Sequence, residues 1–201
     1  MAEVIEDCMV EKPKISVYDM ALGDYEYLLH RLRVVTHGTK YRMQVYCQHC
    51  QKYEDIVTNL DQIQIIPFDE TEWNKAKYII LPDSNDTITL HYQTPRMIDM
   101  QEGQIKDMQR RYKNVPLDFT KLVILKNVIE EVNGALMDEL KLEEYIKNLS
   151  ARDMNVIIHG IDKLNALVGI DVNLVVDCPE CENEIKTRFR YGQEFYEPTV
   201  Y

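Results

Sequence analysis

The chain has 201 residues, of which 45% are hydrophobic and 28% are charged, a composition typical of a globular protein with a packed core. Its seven glycines and seven prolines are too few for a linker-rich or disordered chain. The formal net charge of -11 disfavours a broad nucleic-acid surface and an anionic membrane surface as partners, since both carry negative charge.

The start of the chain and its apolar segments indicate the compartment. No segment approaches the ~18 consecutive apolar residues that a membrane helix needs. The acidic start, Met1 to Asp7, lacks the positive charge and the apolar run of a secretory signal. We therefore expect a reducing cytoplasm and no membrane partner. In that compartment, paired cysteines are typical of metal or redox sites, whereas disulfides are rare.

The first predicted elements are a helix and a β-hairpin. Asp24 can cap a helix over residues 25–35, and Gly38 suits the left-handed stop after it. Period-two alternation predicts a strand over 41–46, and a return strand lies within 53–66. The turn between these two strands holds the first pair of cysteines.

The middle of the chain is predicted to be mainly helical. Two short strands flank a segment rich in turn-forming residues, which predicts a hairpin over residues 77–92. After it, the helical spacing of apolar residues predicts four helices. These helices span residues 95–113, 118–133, 136–148 and 154–168. The last follows Ser150 and Asp153, which are spaced as in a capping box.

Strands return near the end of the chain, where residues 171–177 and 185–191 predict a second hairpin. The elements together predict an α+β fold. Two β-hairpins from distant segments form its zinc-ribbon-like base, and a helical centre is inserted between them. The predicted parts are an N-terminal arm (1–15), a zinc-ribbon-containing α+β domain (16–92 and 170–191), a helical region (93–169) and a C-terminal tail (192–201).

Two Cys-x-x-Cys pairs carry the main chemical signal, and each lies between two predicted strands. A two-residue spacer lets both sulfurs of a pair bind one metal ion, and two pairs complete the four-thiolate shell of a structural zinc site. The 127 residues from Gln51 to Asp177 separate the pairs, which is tolerable because loop-closure entropy grows only logarithmically with length. We predict one structural Zn2+ per chain, bound by Cys47, Cys50, Cys178 and Cys181.

Other interpretations of the cysteines fit the sequence less well. A thioredoxin-like redox pair needs a helix start, whereas both pairs lie between strands. A zinc deaminase needs a His-x-Glu motif, but His159 is followed by Gly160 and Ile161. His49 is an alternative ligand inside the first pair, and disulfides within each pair would require oxidation. Cys8 stands alone in the arm, and we expect no role for its thiol.

The sequence shows no catalytic constellation. It lacks the P-loop, the dinucleotide-binding glycine motif, the nucleophile elbow and the His-Glu-x-x-His zinc motif. The single Trp73 and the tyrosines can stack on a partner, although core and interface filling is the simpler interpretation. We therefore predict no enzymatic activity and no small-molecule substrate.

A run near the N-terminus resembles a known family. The chain reads MALGDYEYLL at residues 20–29 and RLR at 31–33, followed by a His-Gly pair, a strand and the first two cysteines. This order resembles the baseplate hub and tail-assembly proteins of phages with contractile, T-even-like tails. The similarity covers about residues 19–60 and, more loosely, the second cysteine pair. The first pair lacks the proline and the following glycine that are common in such turns.

The resemblance implies a non-enzymatic structural or assembly subunit of a phage tail baseplate or hub. Its partners would be other baseplate or hub proteins, and it would be found in the host cytoplasm during assembly and in the virion tail baseplate afterwards. The alternative is a zinc-ribbon adaptor that binds nucleic acid or the transcription machinery, although the acidic charge argues against direct nucleic-acid binding. A third hypothesis, an enzyme with an unfamiliar site in the helical centre, has no motif in its support.

Overall fold

The computed structural model describes residues 2–112, 119–189, 191 and 195. This described part of the chain contains seven α-helices and seven β-strands. The helices are α1 (Ala2–Cys8), α2 (Leu22–His37), α3 (Glu70–Ala76), α4 (Pro95–Arg111), α5 (Thr120–Val128), α6 (Glu139–Asn148) and α7 (Ala151–Asn165). The strands are β1 (Lys40–Cys47), β2 (Lys52–Asn59), β3 (Tyr78–Ile80), β4 (Thr87–Leu90), β5 (Ile129–Val132), β6 (Asn173–Asp177) and β7 (Glu184–Arg188). The mixture of helices and small antiparallel sheets confirms the predicted α+β class.

The strands form three antiparallel sheets. β1 pairs with β2 and β6 pairs with β7, each as a separate two-stranded hairpin with an unbroken register. β3, β4 and β5 form a three-stranded sheet in that order. The three hairpins that the sequence predicts are therefore confirmed, and the middle one gains a third strand.

That third strand lies where the sequence predicts a helix. The helix predicted over 118–133 ends at Val128, and residues 129–132 form β5 beside β4. Ile129 and Val132 are β-branched and buried, so their side chains fit a pleated sheet as well as a helix face. The backbone groups that β4 offers for pairing decide in favour of the strand.

The starts of three helices also differ from the prediction, and one of them is α7, which begins at Ala151 and not at Met154. α2 begins at Leu22, so Asp24 lies inside the first turn, and Ala21 before the helix makes no side-chain cap. A carboxylate is favourable anywhere in the first turn because of the helix dipole, which explains why the pattern around Asp24 suggested a cap. α6 begins at Glu139, later than predicted, because Asp138 caps it there.

The start of α2 packs directly on the loop after α7. A Cβ atom on Gly23 would overlap the carbonyl oxygen of Val168, and a Cβ atom on Gly169 would overlap the backbone of Gly23. Gly169 also has a φ of 91°, in the left-handed region that favours glycine. Next to this contact, Ile65 and Ile170 form an isolated antiparallel bridge. The segments that enter and leave the central part of the chain therefore lie side by side, against α2.

The main hydrophobic core lies among α3, α5, α6, α7 and the three-stranded sheet. Leu81 and Ile88 are 0% exposed, and they pack in one cluster with Leu125 and Ile157, which are equally buried. This core includes residues from both sides of the predicted boundary at 92/93. The division of the chain at that boundary stays a prediction.

The capping box predicted at the start of α7 is confirmed for the serine only. The amide of Asp153 donates to Ser150 Oγ at 3.0 Å, which caps the helix. The carboxylate of Asp153 instead accepts hydrogen bonds from the amides of Asp83 and Ser84, at 3.0 and 3.1 Å. Because Asp153 is only 1% exposed, these bonds satisfy a buried carboxylate and tie the β3–β4 turn to α7.

Both ends of the chain contact the rest of the structure. Ile5 of α1 is buried in a cluster with residues of α2, so the predicted N-terminal arm contains a docked helix. Phe195 is buried against aromatic residues of the second hairpin region. The other residues of the predicted tail, 192–201, lie outside the described residues, as do Lys113 and Asp118 at two predicted helix ends.

Candidate metal centre

The two cysteine pairs lie in equivalent turns of the two terminal hairpins. In the first hairpin, Cys47 is the last residue of β1 and pairs with Lys52 of β2. In the second, Asp177 pairs with Glu184, and Cys178 is the next residue in the chain. Each turn thus closes a regular antiparallel ladder, which determines the direction of the first cysteine of each pair.

The residue after each pair adopts the same uncommon backbone conformation. Gln51 and Glu182 both have a φ of 58°, in the left-handed region that residues other than glycine seldom adopt. In the second turn, the amide of Glu182 donates to the carbonyl of Cys178 at 2.9 Å, and the amide of Cys178 donates to the carbonyl of Asn183 at 3.0 Å. The sequence did not reveal this position, because a glycine would have marked it and neither pair is followed by one.

The four thiol sulfurs meet in one cluster. All four Sγ atoms lie within 4.8 Å of one another. Those of Cys47 and Cys181 are 3.6 Å apart, and those of Cys50 and Cys178 are 3.8 Å apart. A tetrahedral shell with Zn–S distances of about 2.3 Å places its sulfurs about 3.8 Å apart. The structure thus brings together all four cysteines that the sequence singled out, at a spacing that can hold a metal ion.

Burial and hydrogen bonding shift the pKa values of the thiols in opposite directions. Burial, with the neighbouring thiols, raises the pKa of Cys50 to about 12, and burial also raises the pKa of Cys178. Hydrogen bonds from the side chain and amide of Asn183 lower the pKa of Cys181 to about 6. The amides of Glu180 and Cys181 lower the pKa of Cys178 against its burial. Amide donors around the sulfurs favour the thiolate, which is the form that binds metal.

The cluster is shielded from solvent. Cys47 is 0% exposed and Cys178 is 1% exposed, while the other two cysteines are half-buried. Apolar side chains of both hairpins pack around them, namely Met43, Val45, Ile56, Val176 and Ile185. An ion pair of 3.2 Å between Lys52 and Glu180 links the two turns at the surface, where such pairs contribute little. Four sulfur ligands leave no open coordination position, which is typical of structural metal sites.

The other candidates from the sequence lie outside this cluster. His49 is exposed and does not belong to the group of sulfur ligands. Cys8 is an exposed free thiol on α1. In the part of the chain that the structure describes, the four cysteines are the one group of three or more metal-ligating side chains that comes close enough to share an ion.

Comparisons with known proteins extend the resemblance seen at the start of the chain. A family model described as "T4 bacteriophage base plate protein" matches residues 1–197. The chain belongs to this family. The match confirms the resemblance to baseplate proteins of T4-like phages and covers nearly the whole length, well beyond residues 19–60. Searches of curated proteins and of solved structures found no match.

Membership of a T4 base plate family points to a structural subunit of a phage tail that contacts other tail proteins. It likewise points to the virion tail as the location and away from an enzymatic role. None of the helices in the described residues combines the length and the apolar composition that crossing a bilayer requires.

Proposed function

We propose that this protein is a structural or assembly subunit of the baseplate hub, and that one structural zinc ion closes its fold. The observation that carries the proposal is the four-cysteine cluster, which joins two distant turns in a chain of a baseplate family. A tetrahedral four-sulfur shell is typical of zinc or of iron–sulfur sites. We assign zinc, because closing a fold needs no redox chemistry and zinc supplies none.

The zinc would clamp the hairpins β1–β2 and β6–β7 into a zinc-ribbon-like base. An isolated two-stranded hairpin is marginal in water, and these two hairpins share a small apolar cluster around the cysteines and an aromatic cluster that includes Tyr41 and Phe189. A metal bridge between their turns therefore supplies stability that their own packing cannot. The central part of the chain is then displayed from a base of defined geometry, as an assembly subunit requires.

The partners we propose are other baseplate or hub proteins, bound by protein–protein contact in the host cytoplasm during assembly and retained in the tail baseplate. We propose no catalytic role, since sulfur fills all four positions around the metal. The acidic net charge of -11 favours partners with basic surfaces over nucleic acid.

The proposal is tested by deleting the gene from the phage and supplying an affinity-tagged chain in trans. We expect incomplete baseplates without the gene, and co-purification of the tagged chain with hub proteins or finished baseplates. Complete baseplates without the gene, together with a tagged chain that sediments alone, would refute the assembly role. A mobility shift of DNA or RNA that weakens with salt would favour the adaptor alternative instead.

Elemental analysis tests the metal separately. Protein purified without added metal should contain one zinc per chain, and a Cys8→Ser variant should keep it. Stoichiometric iron in place of zinc would show that the bound metal is iron. The absence of any bound metal would refute the clamp and leave the assembly role to the first experiment.

A further inference from the structure

An apolar pocket of about 550 Å3 lies away from the cysteines, between α2, α3 and the loop after α7. Three aromatic rings stand in a row on its wall: the ring of Trp73 is 5.7 Å from that of Phe68 and 6.0 Å from that of Tyr92, between centroids. Tyr27 of α2 adds a fourth ring to the lining. The faces of such rings carry the negative charge of their π-systems and attract cations.

Asp24 is the one charged side chain among the described residues that line this pocket. No described residue donates a hydrogen bond to its carboxylate or forms an ion pair with it. Asp24 is exposed to water, and partial desolvation by neighbouring protein atoms raises the pKa of its carboxyl group. A carboxylate without a partner among the described residues can pair with a cation brought next to it, which favours its charged form.

The surface around the pocket is unusually apolar. Ile15 and Phe68 line the pocket and are 53% and 60% exposed. Val10 and Ile65 are also exposed, at 101% and 62%, and each is next in sequence to a lining residue. Exposed apolar side chains in the lining of an apolar pocket, such as Ile15 and Phe68, are typical of protein interaction surfaces. A free small molecule would fill the pocket and leave this surrounding surface uncovered.

We propose that this pocket binds an arginine or lysine side chain that a partner protein presents on an apolar segment. The aromatic row would contact the cation, Asp24 would be its counter-ion, and the exposed apolar residues would cover the flanking segment. The net charge of -11 favours a basic partner over a long range as well. The inference rests on the proposed function only in taking the occupant to be a protein.

Trp73 is the only tryptophan of the chain, so its fluorescence reports on the pocket directly. The probes are three tripeptides, acetyl-Leu-X-Leu-amide, in which X is arginine, its neutral analogue citrulline, or glutamate. We expect the arginine peptide to change the emission saturably and to bind about tenfold more tightly than the citrulline peptide, from one cation–π contact and one ion pair. The glutamate peptide should bind most weakly.

Asp24→Asn removes the ion pair and leaves the cation–π contact, so it should reduce the preference for arginine over citrulline from about tenfold to a few-fold. The matched control is Asp99→Asn, an exposed aspartate of α4 that does not line the pocket, and it should keep the preference. Phe68→Leu removes an aromatic ring from a largely exposed position without changing the charge, and it should lower the affinity of the pocket for the arginine peptide several-fold. Circular dichroism spectra of all three variants establish that they are folded.

Equal affinities for arginine and citrulline, or no emission change with the arginine peptide, would overturn the proposal. So would equal effects of Asp24→Asn and Asp99→Asn. If the emission of Trp73 changes with protein concentration in the absence of peptide, the pocket binds a second copy of the chain. That result would also overturn the proposal. These results are independent of baseplate assembly, because the chain can be a baseplate subunit whether or not the peptides bind.

Discussion

Replacing Cys178 by serine removes one sulfur from the proposed metal shell and should release the proposed clamp between the two hairpins. Cys178 is 1% exposed, so the serine hydroxyl would be buried in its place among apolar side chains and thiols. Three remaining thiolates bind zinc with an open position, which is not a stable structural site. We expect purified Cys178→Ser protein to contain less than stoichiometric zinc.

The loss of stability follows from the length of the loop that the metal closes. A bridge from Cys50 to Cys178 encloses roughly 130 residues, and the chain-entropy relation gives about 5 kcal/mol at 25 °C for a cross-link of that span. This value is comparable to the whole stability of many domains. The hairpins share the small cluster around the cysteines and an aromatic cluster in which Tyr41 of β1 contacts Phe189, and we expect these two clusters to be too weak to hold the hairpins together without the metal.

Calorimetry and elemental analysis on the same samples provide the assay. The variant should show a transition at clearly lower temperature and a smaller unfolding enthalpy, because the hairpins are already open. Cys8→Ser is the matched control, since Cys8 is an exposed thiol outside the cluster, and it should behave like the unmodified chain. A Cys178→Ser protein that keeps one zinc per chain, or that loses less than about 1 kcal/mol, would refute the reasoning.

Four further substitutions test the backbone and the charges. Gln51→Gly should raise the free energy of unfolding by about 0.5–1 kcal/mol. Glycine removes the strain of about 1–2 kcal/mol that another residue has in the left-handed conformation, and its extra entropic cost is smaller than that strain. Urea titrations measure the change, and an unchanged or lower free energy of unfolding would contradict the reasoning. Gly23→Ala should lower the free energy of unfolding by about 1–3 kcal/mol, because the added methyl group would overlap with the loop after α7. Gly103→Ala, on α4 with open space around it, should raise the free energy of unfolding by about 0.5–1 kcal/mol. A hydrogen bond from Asn133 is the largest cause that lowers the pKa of Asp86 below its ordinary 3.8. Asp86 therefore adds stability above about pH 4 that disappears as the pH falls further, and acid titrations of Asp86→Asn should lack this component.

The cluster of four cysteines was predictable because its signal is local, while the metal itself stays a proposal. A two-residue spacer between cysteines in a turn indicates one half of a four-sulfur shell, and the presence of two such pairs predicted that the two turns meet. The hairpins were predictable for the same reason, since period-two alternation is set within each strand. Ser150 is a third example, because its hydrogen bond to the amide three residues later depends on nothing outside α7.

The features that escaped prediction depend on contacts between distant segments. Ile129 to Val132 satisfies a helical pattern as well as a strand, and only the neighbouring strand β4 selects between them. Trp73 was expected to fill the core, and it does pack against the main core, but it also lines a pocket with residues from four other segments. No spacing in the sequence connects Asp24 with Phe68 or Tyr92, so the pocket becomes visible only in the folded chain.

The composition of the main core, together with the proposed metal, leads to a final prediction about amide hydrogen exchange. The main core has no member from β1, β2, β6 or β7, whereas β4 lies between two strands and its Ile88 and Leu90 are 0% exposed. Removing the metal with a chelator should therefore accelerate exchange in the four hairpin strands and leave the β4 amides protected.

The pattern of protection also tests where the chain divides. Because β4 pairs with β5, both should share one level of protection, which would place residues 87–92 with the central region and the division before α3. Different protection of β4 and β5 would favour the predicted boundary at 92/93. If the β4 amides accelerate together with those of the hairpins, the metal holds a single cooperative unit, and the description of the centre as a separate structure on a ribbon base is wrong.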